Sequence, residues 1–225
     1  MEIKKSAFLL ALFITISLFL TLLLISDFLG GRREDNLNAR FNEVYRDFDD
    51  LQQIMLMSDV YGNEMACIAY KNKLSDFDKR IWDLGLKLEQ YRTATEEFRQ
   101  SLYYLEQKKI FNENEFTYLA LLKQIKKLCS NNQTIISFFY RNSKDCKKCD
   151  DQSFVLSDIK KRFGNDVAIF SYDLDLNITS LELLRKFYSV DEVPCVIIDE
   201  RKFCGMQSHE FIVNQVCQGN NLLAC

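Results

Sequence analysis

Proline and glycine are scarce in this chain, one and seven among 225 residues. So few breakers and tight-turn formers exclude a turn-dense, loop-rich fold and favour long helices. The only histidine, His209, stands at the start of the last helical segment and reads as a surface residue without a catalytic role. Basic residues do not predominate either: 29 face 32 acidic ones, for a net charge of -3. No basic stripe with interleaved aromatics tracks a phosphate backbone, so nucleic acid is not an expected partner. What is abundant is apolar residues, 48% of the chain, enough for a core in one large or two small domains.

Ala7 to Ile25 carries no charge and is dominated by Leu, Phe and Ile. At 1.5 Å per residue it spans roughly 28 Å, about the hydrocarbon thickness of a bilayer. The run is longer than a signal-peptide core and no small-x-small site closes it, which favours an uncleaved lipid-spanning anchor over a secretory signal. Lys4 and Lys5 on one side nearly balance Arg32 and Arg33 on the other. Because Glu34 and Asp35 follow at once, the expected arrangement is a single pass with a cytoplasmic N-terminus and the bulk of the chain outside the cytoplasm. Eight cysteines, an even number, fit an oxidising compartment, although buried cysteine is also a common small hydrophobe. The sequons Asn132-Gln133-Thr134 and Asn177-Ile178-Thr179 permit the same location.

Gly30-Gly31 reads as a hinge, so residues 1–31 form tail, anchor and hinge. Residues 32–130 form a helical stalk. Leu37, Phe41, Val44, Phe48, Leu51 and Met55 recur in steps of four and three, the seam of a coiled coil, before a break at Tyr61-Gly62-Asn63. From Tyr70 to Leu105 the same alternation continues through Thr95 and Phe98, which predicts one unbroken helix despite a possible capping box at Thr93-Ala94-Thr95-Glu96. A third segment, Glu113 to Cys129, carries Phe116, Leu119, Leu122 and Ile125 and is expected to begin after a cap at Asn112. Two arrangements follow, a hairpin closed at Gly62 or a homodimer through the continuous seam. With a turn near Ile110 to Asn112, Cys129 falls beside Arg92, roughly 38 Å of helix from Cys67. A disulfide needs Cα atoms within about 7 Å, so a Cys67–Cys129 bond is not expected.

From Thr134 onward strand and helix patterns alternate. Thr134–Tyr140, Val167–Asp173, Cys195–Asp199 and Lys202–Cys204 read as strands, and Ser153–Phe163, Ser180–Tyr188 and Ser208–Cys217 as helices. Cys146-Lys147-Lys148-Cys149 stands at the first strand-to-helix junction. Its spacing brings the two sulfurs within reach of each other. The helix macrodipole and both lysines favour the Cys146 thiolate and predict a depressed pKa, while Asp145, Asp150 and Asp151 oppose them.

The order βαβαββα, this Cys-x-x-Cys and Pro194, the only proline, just before the third strand in Val193-Pro194-Cys195 together resemble the thioredoxin superfamily over residues of about 131–217. The resemblance implies an α/β thioredoxin-like domain at 131–225, after the transmembrane helix and the coiled-coil or hairpin region. It also implies a cis-proline that faces the Cys pair and, with Val193, presents a backbone edge to substrate. The family's tryptophan and Gly-Pro around the pair are absent. So is its buried acid, since Ile135-Ile136-Ser137-Phe138-Phe139 holds no carboxylate.

The chemistry implied is thiol–disulfide exchange with protein thiols and disulfides as substrates and a redox partner protein: Cys146 attacks, Cys149 resolves, and Lys147, Lys148 and Val193 lie where substrate would bind. Stabilising the thiolate biases the pair towards oxidase or isomerase behaviour. No cofactor is expected. A zinc site shared with Cys195 lacks a nearby histidine and a fourth thiolate, so no metal is expected. The alternative is a redox-inactive thioredoxin-like binding module, its disulfide permanent, on a membrane-anchored coiled-coil scaffold. Cys195, Cys204, Cys217 and Cys225 are left as core thiols or structural disulfides of open pairing.

Overall fold

The structure, a computed structural model, describes residues 5–94, 101–129, 131–142, 144–218 and 225. It divides into two compact units, Met1–Arg46 and Asp47–Cys225. The first helix, α1 (Lys5–Tyr61), includes Phe8–Ser26, 19 residues of mean hydropathy 2.9 with none of them buried. It is the one helix among the described residues long and apolar enough to cross a membrane. No hinge forms at Gly30-Gly31, because the helix runs through both. A helical glycine costs about 1 kcal/mol relative to alanine, and with good helix formers on both sides and no proline that is not enough to break it. Leu37, Phe41 and Val44 are buried.

In the second unit Gly62, at φ +86°, takes the left-handed conformation that ends α1 and lets the chain turn. The second helix, α2 (Asn63–Ala94), returns antiparallel: Phe48 meets Phe77 edge-on at 4.8 Å between centroids, and Lys73 pairs with Asp50 at 2.5 Å. The third helix, α3 (Leu102–Cys129), packs against α2. Ser101 Oγ accepts a hydrogen bond from Tyr104 N at 3.2 Å, so the cap of α3 is Ser101.

Two expectations are thereby corrected. The second helix is not continuous to Leu105, and no helix starts after Asn112. The break includes Ser101, which is not helical, and Thr95, Glu96 and Phe98 lie outside the described residues. Periodicity hid it, because the apolar three-four spacing carries on across it. Asn112 is 1% exposed, and its Oδ1 accepts from the Asp173 backbone N–H at 2.8 Å instead of capping a helix.

Moving the turn also moves the cysteines. Cys67 on α2 and Cys129 at the end of α3 are bonded, with Cα atoms 5.4 Å apart. The expectation of no Cys67–Cys129 bond is therefore wrong, and the misplaced turn is the reason. The buried face of α3 is also wider than a single seam, since it includes Phe111, Glu115 and Tyr118 as well as Leu119, Leu122 and Ile125. Tyr118 is fully buried at its centre, against Phe77 at 4.6 Å and Phe170 at 5.3 Å.

The remaining elements are β1 (Thr134–Tyr140), α4 (Cys149–Phe163), β2 (Val167–Asp173), α5 (Thr179–Phe187), β3 (Cys195–Ile198), β4 (Arg201–Cys204) and α6 (His209–Cys217). They form one mixed sheet of order β2-β1-β3-β4, with β1 parallel to β2 and the other pairs antiparallel. Period-two alternation assigns the faces. Ile136, Phe138, Ile169, Val196 and Ile198 pack with Leu156 and Ile159 of α4 and Ile212 and Val216 of α6.

Strand β2 is an edge, and an edge strand leaves alternate N–H groups without a ladder partner. Here α3 supplies acceptors. Glu115 Oε1 takes the Ser171 N–H at 3.0 Å and Asn112 Oδ1 takes that of Asp173, so a helix face caps the sheet edge. Two buried ion pairs fasten the same helices to the sheet unit, Lys108 of α3 with Asp173 of β2 and Asp78 of α2 with Lys160 of α4.

Candidate functional site

After β1 the chain turns tightly, with Cys146 N donating to Asn142 O at 2.9 Å and Cys149 N to Cys146 O at 3.3 Å. Cys149 is the first residue of α4, and Lys148 precedes it without a side-chain cap. The Cys146 and Cys149 sulfurs are bonded across Cα atoms 5.4 Å apart. Lys147 and Lys148 are exposed, whereas Cys146 and Cys149 are only 5% and 2% exposed. Both cysteines belong to the core between the sheet and α4, and Val193 packs against that core from the loop before β3. The Val193–Pro194 bond is cis, Pro194 is buried, and its carbonyl accepts from Gly205 N at 2.8 Å. The structure thus brings Cys146, Cys149 and Val193 into one cluster, with Pro194 next in the chain.

The other cysteines pair as Cys195–Cys204, which staples β3 to β4, and Cys217–Cys225. All eight are bonded and none is free. His209 lies 3.4 Å from Asp158 at the surface.

Solved structures similar to this chain are thioredoxin-like. One is a malarial protein: it is 22% identical, and the match covers 39% of this chain and 98% of that one at a TM-score of 0.34. Thioredoxin-2, described as a component of malaria parasite protein secretion machinery, is 22% identical over 39% of this chain and 84% of its own, with TM-score 0.34. The germline-specific thioredoxin Deadhead of Drosophila melanogaster is 17% identical over 45% and 92%, again with TM-score 0.34. No family model and no curated protein matches the chain.

Beside the Cys pair a cavity of about 140 Å³ opens between α2, α3, β1 and α4. Cys149 is part of its wall, with Trp82, Phe111, Phe138, Tyr140 and Glu115. Glu115 is 4% exposed, and its Oε2 has no hydrogen-bond partner among the described residues. Burial pushes its carboxyl well above the usual range, and the Ser171 N–H offsets only part of that. Asp78 is also raised by burial, against the pull of Lys160 and of the Tyr118 hydroxyl.

Sequence reasoning did not single out Glu115, Lys108, Asp78 or Lys160. A signal existed: Asn112 and Glu115, three apart on α3, put polar groups on a face otherwise held by Phe111, Tyr118 and Leu122. A polar pair inside an apolar stripe calls for a partner elsewhere in the fold.

Proposed function

We propose that this chain is a membrane-tethered thiol–disulfide oxidoreductase with a thioredoxin-like domain at residues 131–225. The observation that carries the reading is the bonded Cys146–Cys149 pair at the first strand-to-helix junction, with Val193 packed on the core that holds it. The βαβαββα order and the pairing of all eight cysteines, as expected of a domain in an oxidising compartment, support it. Phe8–Ser26 is the proposed anchor, with the bulk of the chain outside the cytoplasm.

Exchange runs as follows in the oxidising direction. A substrate thiolate attacks Cys146 Sγ, the Cys146–Cys149 bond breaks, and Cys149 leaves as a thiolate. The second substrate thiolate then attacks the substrate sulfur of the mixed disulfide and expels Cys146. Two electrons pass from substrate to the pair, and the substrate's two thiol protons go to solvent or to the cysteines. The exposed Lys147 and Lys148 stabilise the released thiolates, Val193 and Pro194 present the substrate-facing backbone edge, and a redox partner protein reoxidises the pair.

A second reading, a permanent disulfide in a binding module, is favoured by the burial of both cysteines. Refolding of a scrambled disulfide substrate by the full chain in detergent, compared with Cys146→Ser, separates the two. Exchange that disappears in Cys146→Ser is the result expected of the enzyme; equal rates, or none in the wild type, would sink it. The full chain is used because α3 supplies the acceptors for the edge of β2.

A further inference from the structure

The cavity beside Cys149 has a mixed lining whose ionic groups are largely spoken for. Lys108 is paired with Asp173, and Arg141 is held by Asp175 at 3.1 Å. Among the described residues that line it, no unpaired cation is left to recruit an anion. Part of the wall is aromatic: Phe138 and Tyr140 stack with centroids 5.3 Å apart and planes 19° from parallel, and Trp82 and Phe111 contribute two further rings.

Buried Glu115 also lines the cavity. Its Oε1 accepts from the Ser171 N–H, and its Oε2 has no partner among the described residues although the side chain is almost completely buried. Burial keeps the hydrogen on this carboxyl to higher pH than on a free one, and in that form a buried donor without an acceptor is destabilising by roughly 1–3 kcal/mol until something supplies one. The volume, about 140 Å³, is that of a cavity able to hold a molecule of benzene size. Exposed Arg141, Asn142 and Ser153 at its rim give access from solvent.

We propose that this cavity is a binding site for a small, uncharged, flat carbonyl compound, whose ring lies among Trp82, Phe111, Phe138 and Tyr140 and whose carbonyl oxygen meets Glu115. The site stands independently of the exchange reading, since none of these five residues takes part in exchange.

The chain carries its own reporter, because Trp82 is its only tryptophan and lines the cavity. The experiment follows the Trp82 indole N–H resonance of the full chain in lipid nanodiscs during titration with acetophenone and with α-methylstyrene, which replaces C=O by C=CH2 at almost the same shape. Saturable shifts from acetophenone are expected, with binding at least about five-fold tighter than for the hydrocarbon, the worth of one hydrogen bond. Glu115→Gln, which keeps a donor, retains the preference, and Glu115→Met abolishes it. Equal affinity of the two compounds for the wild type, or no saturable shift with either up to millimolar concentration, overturns the proposal and leaves the cavity to water. The wild-type comparison decides the question even if Glu115→Met fails to fold.

Discussion

Cys67 and Cys129, 62 residues apart in sequence, are joined at the end of the α2–α3 hairpin remote from its turn. The bridge closes a long loop. In the chain-entropy account a loop of that size corresponds to about 4 kcal/mol, and native disulfides commonly give 2–5.

Cys67→Ser with Cys129→Ser should therefore lower the unfolding free energy of the full chain by about 2–4 kcal/mol. Denaturant unfolding of the paired variant, with wild type as reference, measures it. Non-reducing peptide mapping should recover a Cys67–Cys129 peptide from the monomer, and its absence would contradict the placement of the α2–α3 turn.

Glu115 makes stability depend on pH in a direction opposite to that of a salt-bridged carboxylate. Its folded pKa lies above its unfolded value because of burial. Below about pH 4.3 both states are protonated and the group contributes no penalty. As pH rises from there towards the folded pKa, only the unfolded state ionises, so folding loses stability. Asp78, also raised, acts in the same sense. Glu115→Gln should accordingly match or exceed the wild type in melting temperature at pH 7, with the difference shrinking towards pH 4. A variant that melts below wild type at pH 7 and approaches it towards pH 4 would reverse the assigned sign.

Lys160 and Asp78 are 7% and 3% exposed, and Lys160 Nζ also donates to Val167 O at 2.7 Å and lies 5.9 Å over the Trp82 ring. Removing one member of a buried pair strands the other charge, at a cost of about 3–5 kcal/mol. Lys160→Met alone should destabilise by that amount. Lys160→Met combined with Asp78→Leu should recover much of the loss, because no uncompensated charge remains. A double-mutant cycle by chemical denaturation reads the coupling, and additive losses would show that the pair contributes nothing jointly.

Where the sequence was legible, local pattern and tertiary structure agreed. Thr134–Tyr140 and Val167–Asp173 are apolar, β-prone runs, and both form the strands read from them. Gly62 marked a turn because the left-handed conformation there suits glycine. The α2–α3 junction was illegible because apolar spacing persists across it, and Asn112 looked like a cap because asparagine often is one. Its real role, accepting from Asp173 N on an edge strand, depends on a strand 61 residues away that no local window contains. Glu115 was missed for the same reason, since its partner Ser171 is equally remote.

The sequon at Asn177 offers a test of membrane orientation. Asn177 and Thr179 are both exposed at the start of α5, whereas in the other sequon Thr134 is buried in β1. Translation of the full chain with endoplasmic reticulum microsomes should give a glycosidase-sensitive form that Asn177→Gln removes, if the larger unit crosses the membrane as proposed. A sequon appended before Met1 serves as the opposite reporter. Modification of that N-terminal site with Asn177 unmodified would invert the orientation and put the Cys146–Cys149 pair on the cytoplasmic side, where glutathione and thioredoxin keep thiols reduced. In that case the pair would be expected to work as a reductant, and the direction of exchange proposed above would reverse.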